Sequence, residues 1–245
     1  MSKSFESSGA TEKSSELPQD VQPAISSDDR LAARLRGFGP IGIVAILIVL
    51  AGNFVFPPLS AVLALVWTRL SRTPWRDIGY IRPRSWIGSA IFGIAFGVVF
   101  KFVMKALVMP PLGAPPINPA YHYLAGNTAA LPGMLFTLIV VAGWGEETLF
   151  RGYMFERLGK LFGKGAVAKI ATVLFTSAVF ALAHYSVQGL PGVEQAMITG
   201  LVFGMIFAIT GRIFVIMIAH AAYDVTALAM IYWEFESAVA HLIFK

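Results

Sequence analysis

Between Pro40 and Trp233 the chain is built from apolar stretches of about 20 residues with few or no charges, each long enough to cross a ~30 Å hydrocarbon core. In lipid every backbone N–H and C=O must be satisfied within the segment or by a closed barrel, so stretches of this length are read as helices. The expected fold is therefore all-α: a polytopic transmembrane bundle of about seven helices, within a range of six to eight. Charged residues make up only 13% of the 245 residues, about half the share of a soluble domain. The formal charge of +5 gathers at the ends of apolar segments, which favours anionic lipid as partner and speaks against nucleic acid. The absence of cysteine removes thiolate metal sites, disulfides and a cysteine nucleophile together.

Residues 1–36 are polar and lack the apolar core of a secretory signal, so they read as a disordered tail ahead of a transmembrane domain over 37–245. The block Pro40–Leu70 is flanked on both sides by arginines and broken at Asn53 and Pro57-Pro58. This predicts an in-and-out pair of short helices, with a single long kinked helix as the alternative. Further helices are expected over Trp86–Val108, Gly133–Leu158, a stretch ending near Ser186, Glu194–Thr210 and Ile213–Trp233. A Pro-rich outer loop is expected over Met109–Pro132, and a short Gly/Pro loop between the fifth and sixth helices. Lys101 and Lys105, one turn apart near an outer helix end, read as snorkelling cations. The Arg72–Arg84 and Lys160–Lys169 loops are assigned to the cytoplasmic side.

A charge at bilayer depth costs at least ~2.5–3.5 kcal/mol, so each buried one needs a partner or a purpose. Glu146, Glu147, Arg151 and Asp224 are such residues, and His184 and His220 accompany them. Glu147 and Arg151 stand at i and i+4 with the acid N-terminal, the favourable order for an ion pair. Glu146 points about 100° away and is left without a local counter-charge, the setting of a general base. His220 and Asp224 share one helix face, as do Phe180 and His184. With Arg157, Lys169 and Arg212 marking the inner interface, Glu146, His184 and His220 lie about 16, 22 and 12 Å deep by helical rise. One buried site, working near the cytoplasmic half of the membrane, is the expectation.

An aspartyl dyad lacks its second membrane Asp, no H-E-x-x-H string occurs, and Ser177 and Ser186 are outside any Gly-x-Ser-x-Gly setting. Glu146, His184, His220 and Asp224 include residue types that bind zinc, so spacing alone leaves a metal-dependent mechanism open.

The string from Glu146-Glu147 through Arg151 resembles the EExxxR motif of the CAAX-processing and bacteriocin-processing membrane proteases, the group that includes the Rce1-type prenyl-protein endopeptidases. Phe180 to His184 is similar to the family's FxxxH motif, and His220 to Asp224 to its HxxxN/D motif, over a core of about 131–228. The resemblance implies a metal-independent glutamate endopeptidase without a cofactor. In it Glu146 activates water, His184 helps position that water, Glu147 and Arg151 support the site, and His220 and Asp224 stabilise the oxyanion. Many relatives carry Asn at the place of Asp224, and an ionised Asp cannot donate to an oxyanion. The implied partner is a peptide or protein substrate, lipidated ones included, in a prokaryotic plasma membrane or, for a eukaryotic chain, the endoplasmic reticulum. A non-catalytic adaptor or bacteriocin self-immunity protein and a proton-coupled transporter are the alternatives. Oligomeric state is left open.

Overall fold

The computed structural model describes residues 26–56, 58–163 and 165–244. Most of the polar tail expected over 1–36, together with Pro57 and Lys164, lies outside the described residues. Nine helices are present, with no strand among the described residues: α1 Ser27–Arg36, α2 Pro40–Val55, α3 Leu59–Leu70, α4 Trp86–Val108, α5 Thr128–Phe162, α6 Ala166–Ala183, α7 Tyr185–Thr210, α8 Phe214–Tyr232 and α9 Glu236–Ala240. Helices α4 to α8 are long and apolar enough to span a membrane, and α1 with α2, bent by 64°, forms a sixth candidate. The chain is a multi-pass integral membrane protein.

The start of α1 corrects the expected extent of the tail. Ser26 caps the helix by accepting a hydrogen bond from the Asp29 N–H at 3.1 Å, with Asp28 and Asp29 in the first turn and Arg34 and Arg36 in the last. Both charge placements complement the helix dipole. Arg157 then donates to the carbonyls of Arg36 and Gly37 at 2.9 and 3.0 Å, satisfying groups that a helix end leaves open.

Helices α2 and α3 form the expected hairpin. Ser60 Oγ donates to the Val49 carbonyl at 2.7 Å near its tip, while Trp67 Nε1 donates to the Leu35 carbonyl and Arg36 to that of Ser71 at its base. A Cβ at Gly52 would lie 2.9 Å from Leu63 and 3.1 Å from the Ser60 nitrogen, so only glycine lets the two backbones approach this closely. With twelve residues α3 is about 18 Å long, short of a full span.

Small residues organise the rest. Gly93 and Gly97 of α4 lie against α8, where a Cβ at Gly97 would come 2.2 Å from the Ala219 carbonyl oxygen. Gly200 and Gly204 of α7 meet Ser177 and Val173 of α6, and Gly143 of α5 meets Ala221 of α8. Apolar side chains gain little from leaving lipid, so close backbone approach through glycine is what draws membrane helices together. Helix α5 is the inner element. It is wound as a π-helix over Thr137–Glu146 and again over Thr148–Met154, the second stretch entirely buried. The fifth and sixth helices meet more tightly than expected. The predicted Gly/Pro loop is reduced to a break inside α7 at Gly189, whose φ of 61° suits a residue without a side chain.

Candidate active site

Glu146 and Glu147 emerge from α5 at the boundary between the two π-wound stretches, and their surroundings differ sharply. Glu147 is fully buried, and its Oε1 accepts from Arg151 at 2.9 Å and from His220 Nδ1 at 2.7 Å. Arg151, 1% exposed, also donates to the Gly200 carbonyl at 3.4 Å and lies 4.8 Å from the ring centre of Phe180 and 5.8 Å from that of Phe203. The guanidinium is thus neutralised by one acid and sandwiched between two aromatic faces. The ion pair read from i,i+4 spacing is present. Its carboxylate also grips His220, a link across 73 residues that no local spacing could reveal.

Because an ionised carboxylate only accepts, the contact with Glu147 places a proton on His220 Nδ1. The other ring nitrogen then faces the two remaining acids. His220 Nε2 lies 3.8 Å from Glu146 Oε2 and 3.5 Å from Asp224 Oδ2. The side chains of Glu146 and Asp224 are 27% and 22% exposed, and Glu146 Oε2 has no hydrogen-bond partner. His184 is held through Nδ1 to the Phe180 carbonyl at 2.8 Å, one turn back on α6. Its ring packs edge-on against Phe180, with centres 4.7 Å apart. Glu146, His184, His220 and Asp224 all line one cavity of about 160 Å³, room enough for several waters. Glu147 and Arg151 stand behind its wall.

The structure corrects the reading of Lys101 and Lys105. Neither reaches the interface: they are 7% and 9% exposed. Lys101 lines the cavity, donates to Gln195 Oε1 at 3.1 Å and lies 4.7 Å from the centre of the Tyr223 ring. Lys105 pairs with Glu236 of α9 at 3.1 Å, and the other oxygen of Glu236 accepts from the Asn118 N–H at 3.3 Å. The signal was present in the sequence. Gly93, Gly97, Lys101 and Lys105 recur every four residues, so the lysines share the small-residue face that packs into the bundle. Asn118, Tyr121, Gln188 and Gln195 also line the cavity and were not singled out by motif, being loop and helix polar residues without a spacing signature.

The depth estimate needs the same revision. Arg157 is buried against the α1 terminus rather than placed at an interface. Asn118, Tyr121 and Gln188 line the cavity on the side of the 109–127 connection.

Residues 128–226, which carry all six of these side chains, match the family described as type II CAAX prenyl endopeptidase Rce1-like. Over that segment, about two fifths of the chain, the sequence is similar to the Rce1-like family. No curated protein and no solved structure matches the chain. The matched Rce1-like segment starts with α5 and ends within α8, close to the core expected over 131–228. The α2–α3 hairpin and all of α4 lie outside it. The family that this segment resembles is described as one of CAAX prenyl endopeptidases.

Proposed function

We propose that the protein hydrolyses a peptide bond inside the membrane by a water that Glu146 activates. The observation that carries this reading is the division of labour between the two adjacent acids: Glu147 is fully buried and committed through Oε1 to Arg151 and His220, whereas Glu146 lines the cavity with its side chain 27% exposed. Glu146 takes a proton from water as the oxygen adds to the carbonyl carbon, and returns it to the leaving amine when the C–N bond breaks. His184, fixed by the Phe180 carbonyl through Nδ1, turns its Nε2 to the same space and orients the water.

His220 stabilises the oxyanion. With its Nδ1 proton given to Glu147, a second proton on Nε2 makes that atom a donor to the developing negative charge. Asp224 Oδ2 lies 3.5 Å from Nε2, beside the ring it supports, and needs no proton of its own for this role. On this reading Asp224 supports His220 and does not itself donate to the oxyanion. Leu124, Leu138, Val141 and Leu228 supply an apolar cavity wall that suits a peptide with apolar or lipidated side chains.

The test is cleavage of a quenched peptide by purified protein in detergent, compared with Glu146→Gln and with chelator-treated protein. Loss of turnover in Glu146→Gln with indifference to chelation supports a metal-independent glutamate protease. Loss on chelation with recovery on return of metal overturns the mechanism. A phenotype rescued in cells by Glu146→Gln overturns catalysis altogether and favours an adaptor.

A further inference from the structure

The two ends of the bundle differ in charge. Apart from Lys101, Lys105 and Arg151, every Lys and Arg among the described residues lies at or near one end: on α1, from the end of α3 to the start of α4, around the α5–α6 junction, and at Arg212 between α7 and α8. Contacts tie these segments together as one face. Arg157 holds the α1 terminus, Arg36 holds Ser71, the Ile213 N–H donates to the Gly79 carbonyl at 3.1 Å, and Lys169 reaches the Ala208 carbonyl. At the other end the 109–127 connection is tied to the C-terminal segment through Glu236 and through the Gly126 N–H donating to the Tyr232 carbonyl at 3.0 Å. That end shows no exposed Lys or Arg among the described residues. By the positive-inside rule the basic face is cytoplasmic.

The cavity belongs to the other face. Its rim is Asn118 and Tyr121 of the 109–127 connection and Gln188 beside the α6–α7 corner, and none of its lining comes from the basic connections. Toward the basic end it is sealed by Glu147, Thr148, Arg151 and Phe203, each at most 1% exposed. We infer that the site takes its substrate from the non-cytoplasmic side of the membrane, as a peptide segment that enters between the 109–127 connection and the α6–α7 corner. The entrance suits a peptide backbone: the amides of Asn118, Gln188 and Gln195 offer both donors and acceptors at the depth where the chain must leave water. What enters rests on the proteolytic reading, whereas the side of entry does not.

The chain contains no cysteine, so single-cysteine reporters can be placed in the full protein without further change. Tyr123→Cys marks the 109–127 connection, Arg76→Cys the basic face, and Ala227→Cys and Thr137→Cys the cavity wall. Intact cells are treated with a charged, membrane-impermeant maleimide before and after permeabilisation, and the purified chain is scored. The Tyr123 and cavity reporters should label equally before and after, and the Arg76 reporter only after. Cavity reporters that label only with Arg76, or that stay unlabelled even in detergent, overturn the inference. A peptide sealed outside vesicles should be cleaved only where Tyr123→Cys faces outward. Absence of cleavage in detergent sinks the protease reading alone, because labelling does not depend on turnover.

Discussion

Replacing Glu147 with Gln keeps the shape of the side chain and removes one charge from a site where Glu147 is fully buried and Arg151 is 1% exposed. The amide oxygen can still accept from either Arg151 or His220, but the guanidinium loses the one carboxylate it has at hydrogen-bond distance among the described residues. Breaking a buried pair in this way costs about 3–5 kcal/mol in soluble proteins. For a chain of this size that corresponds to a melting temperature lowered by about 6–20 °C. His220 also loses the acceptor that fixes its Nδ1 proton, so the folded fraction should turn over more slowly as well. Glu146→Gln breaks no hydrogen-bonded ion pair: its side chain is 27% exposed and its contact with His220 Nε2 is 3.8 Å long, so melting should shift little while cleavage falls about 10²–10⁴-fold. The double change Glu147→Gln with Arg151→Met should regain part of the lost stability without regaining activity, because no unpaired charge remains. Thermal melting in detergent, paired with quenched-peptide kinetics, measures both quantities on each variant. If Glu146→Gln melts early while Glu147→Gln stays stable and inactive, the roles of base and brace are reversed and the reasoning fails.

Asp224→Asn keeps a hydrogen-bonding group beside His220 and should lose less than about tenfold in turnover. Asp224→Leu removes the contact and should lose about 10²-fold or more, and equal losses would refute a supporting role for the side chain. Gly97→Ala drives a Cβ into the Ala219 carbonyl and should destabilise by about 1–3 kcal/mol, whereas Gly133→Ala, with open space around it, should be neutral or slightly stabilising in the same melts. Lys105→Met strands Glu236 at the foot of the 109–127 connection and should lower the melting temperature by several degrees; combining it with Glu236→Gln should restore much of it. Chelators should leave cleavage rates unchanged over prolonged dialysis.

The sequence conveyed those features whose cause is local. Apolar length gave the spanning helices, flanking arginines gave the α2–α3 hairpin, and i,i+4 spacing gave Glu147 with Arg151 and His220 with Asp224. What it withheld depends on how helices rotate against one another. The bond from His220 to Glu147 joins α8 to α5 and is set by Gly143 meeting Ala221, a packing fact with no sequence period of its own. Lys101 and Lys105 were read by their distance from a helix end, when the deciding information was the four-residue recurrence with Gly93 and Gly97. The lining by Asn118, Tyr121 and Gln188 was hidden because these are ordinary polar residues that no spacing marks and that only the folded chain brings together.

The π winding of α5 gives the helix that bears both acids an unusual mechanical freedom. Each turn encloses one residue more than an α-turn while still forming one backbone hydrogen bond per residue. Rewinding from i→i+5 to i→i+4 bonding would therefore conserve the bonds and exchange length for rotation. A one-residue change of register would swing the segment before Glu146 by about 100° relative to the anchored Glu147–Arg151 stretch. Helix α5 is in this sense a screw with a slack thread on both sides of Glu147.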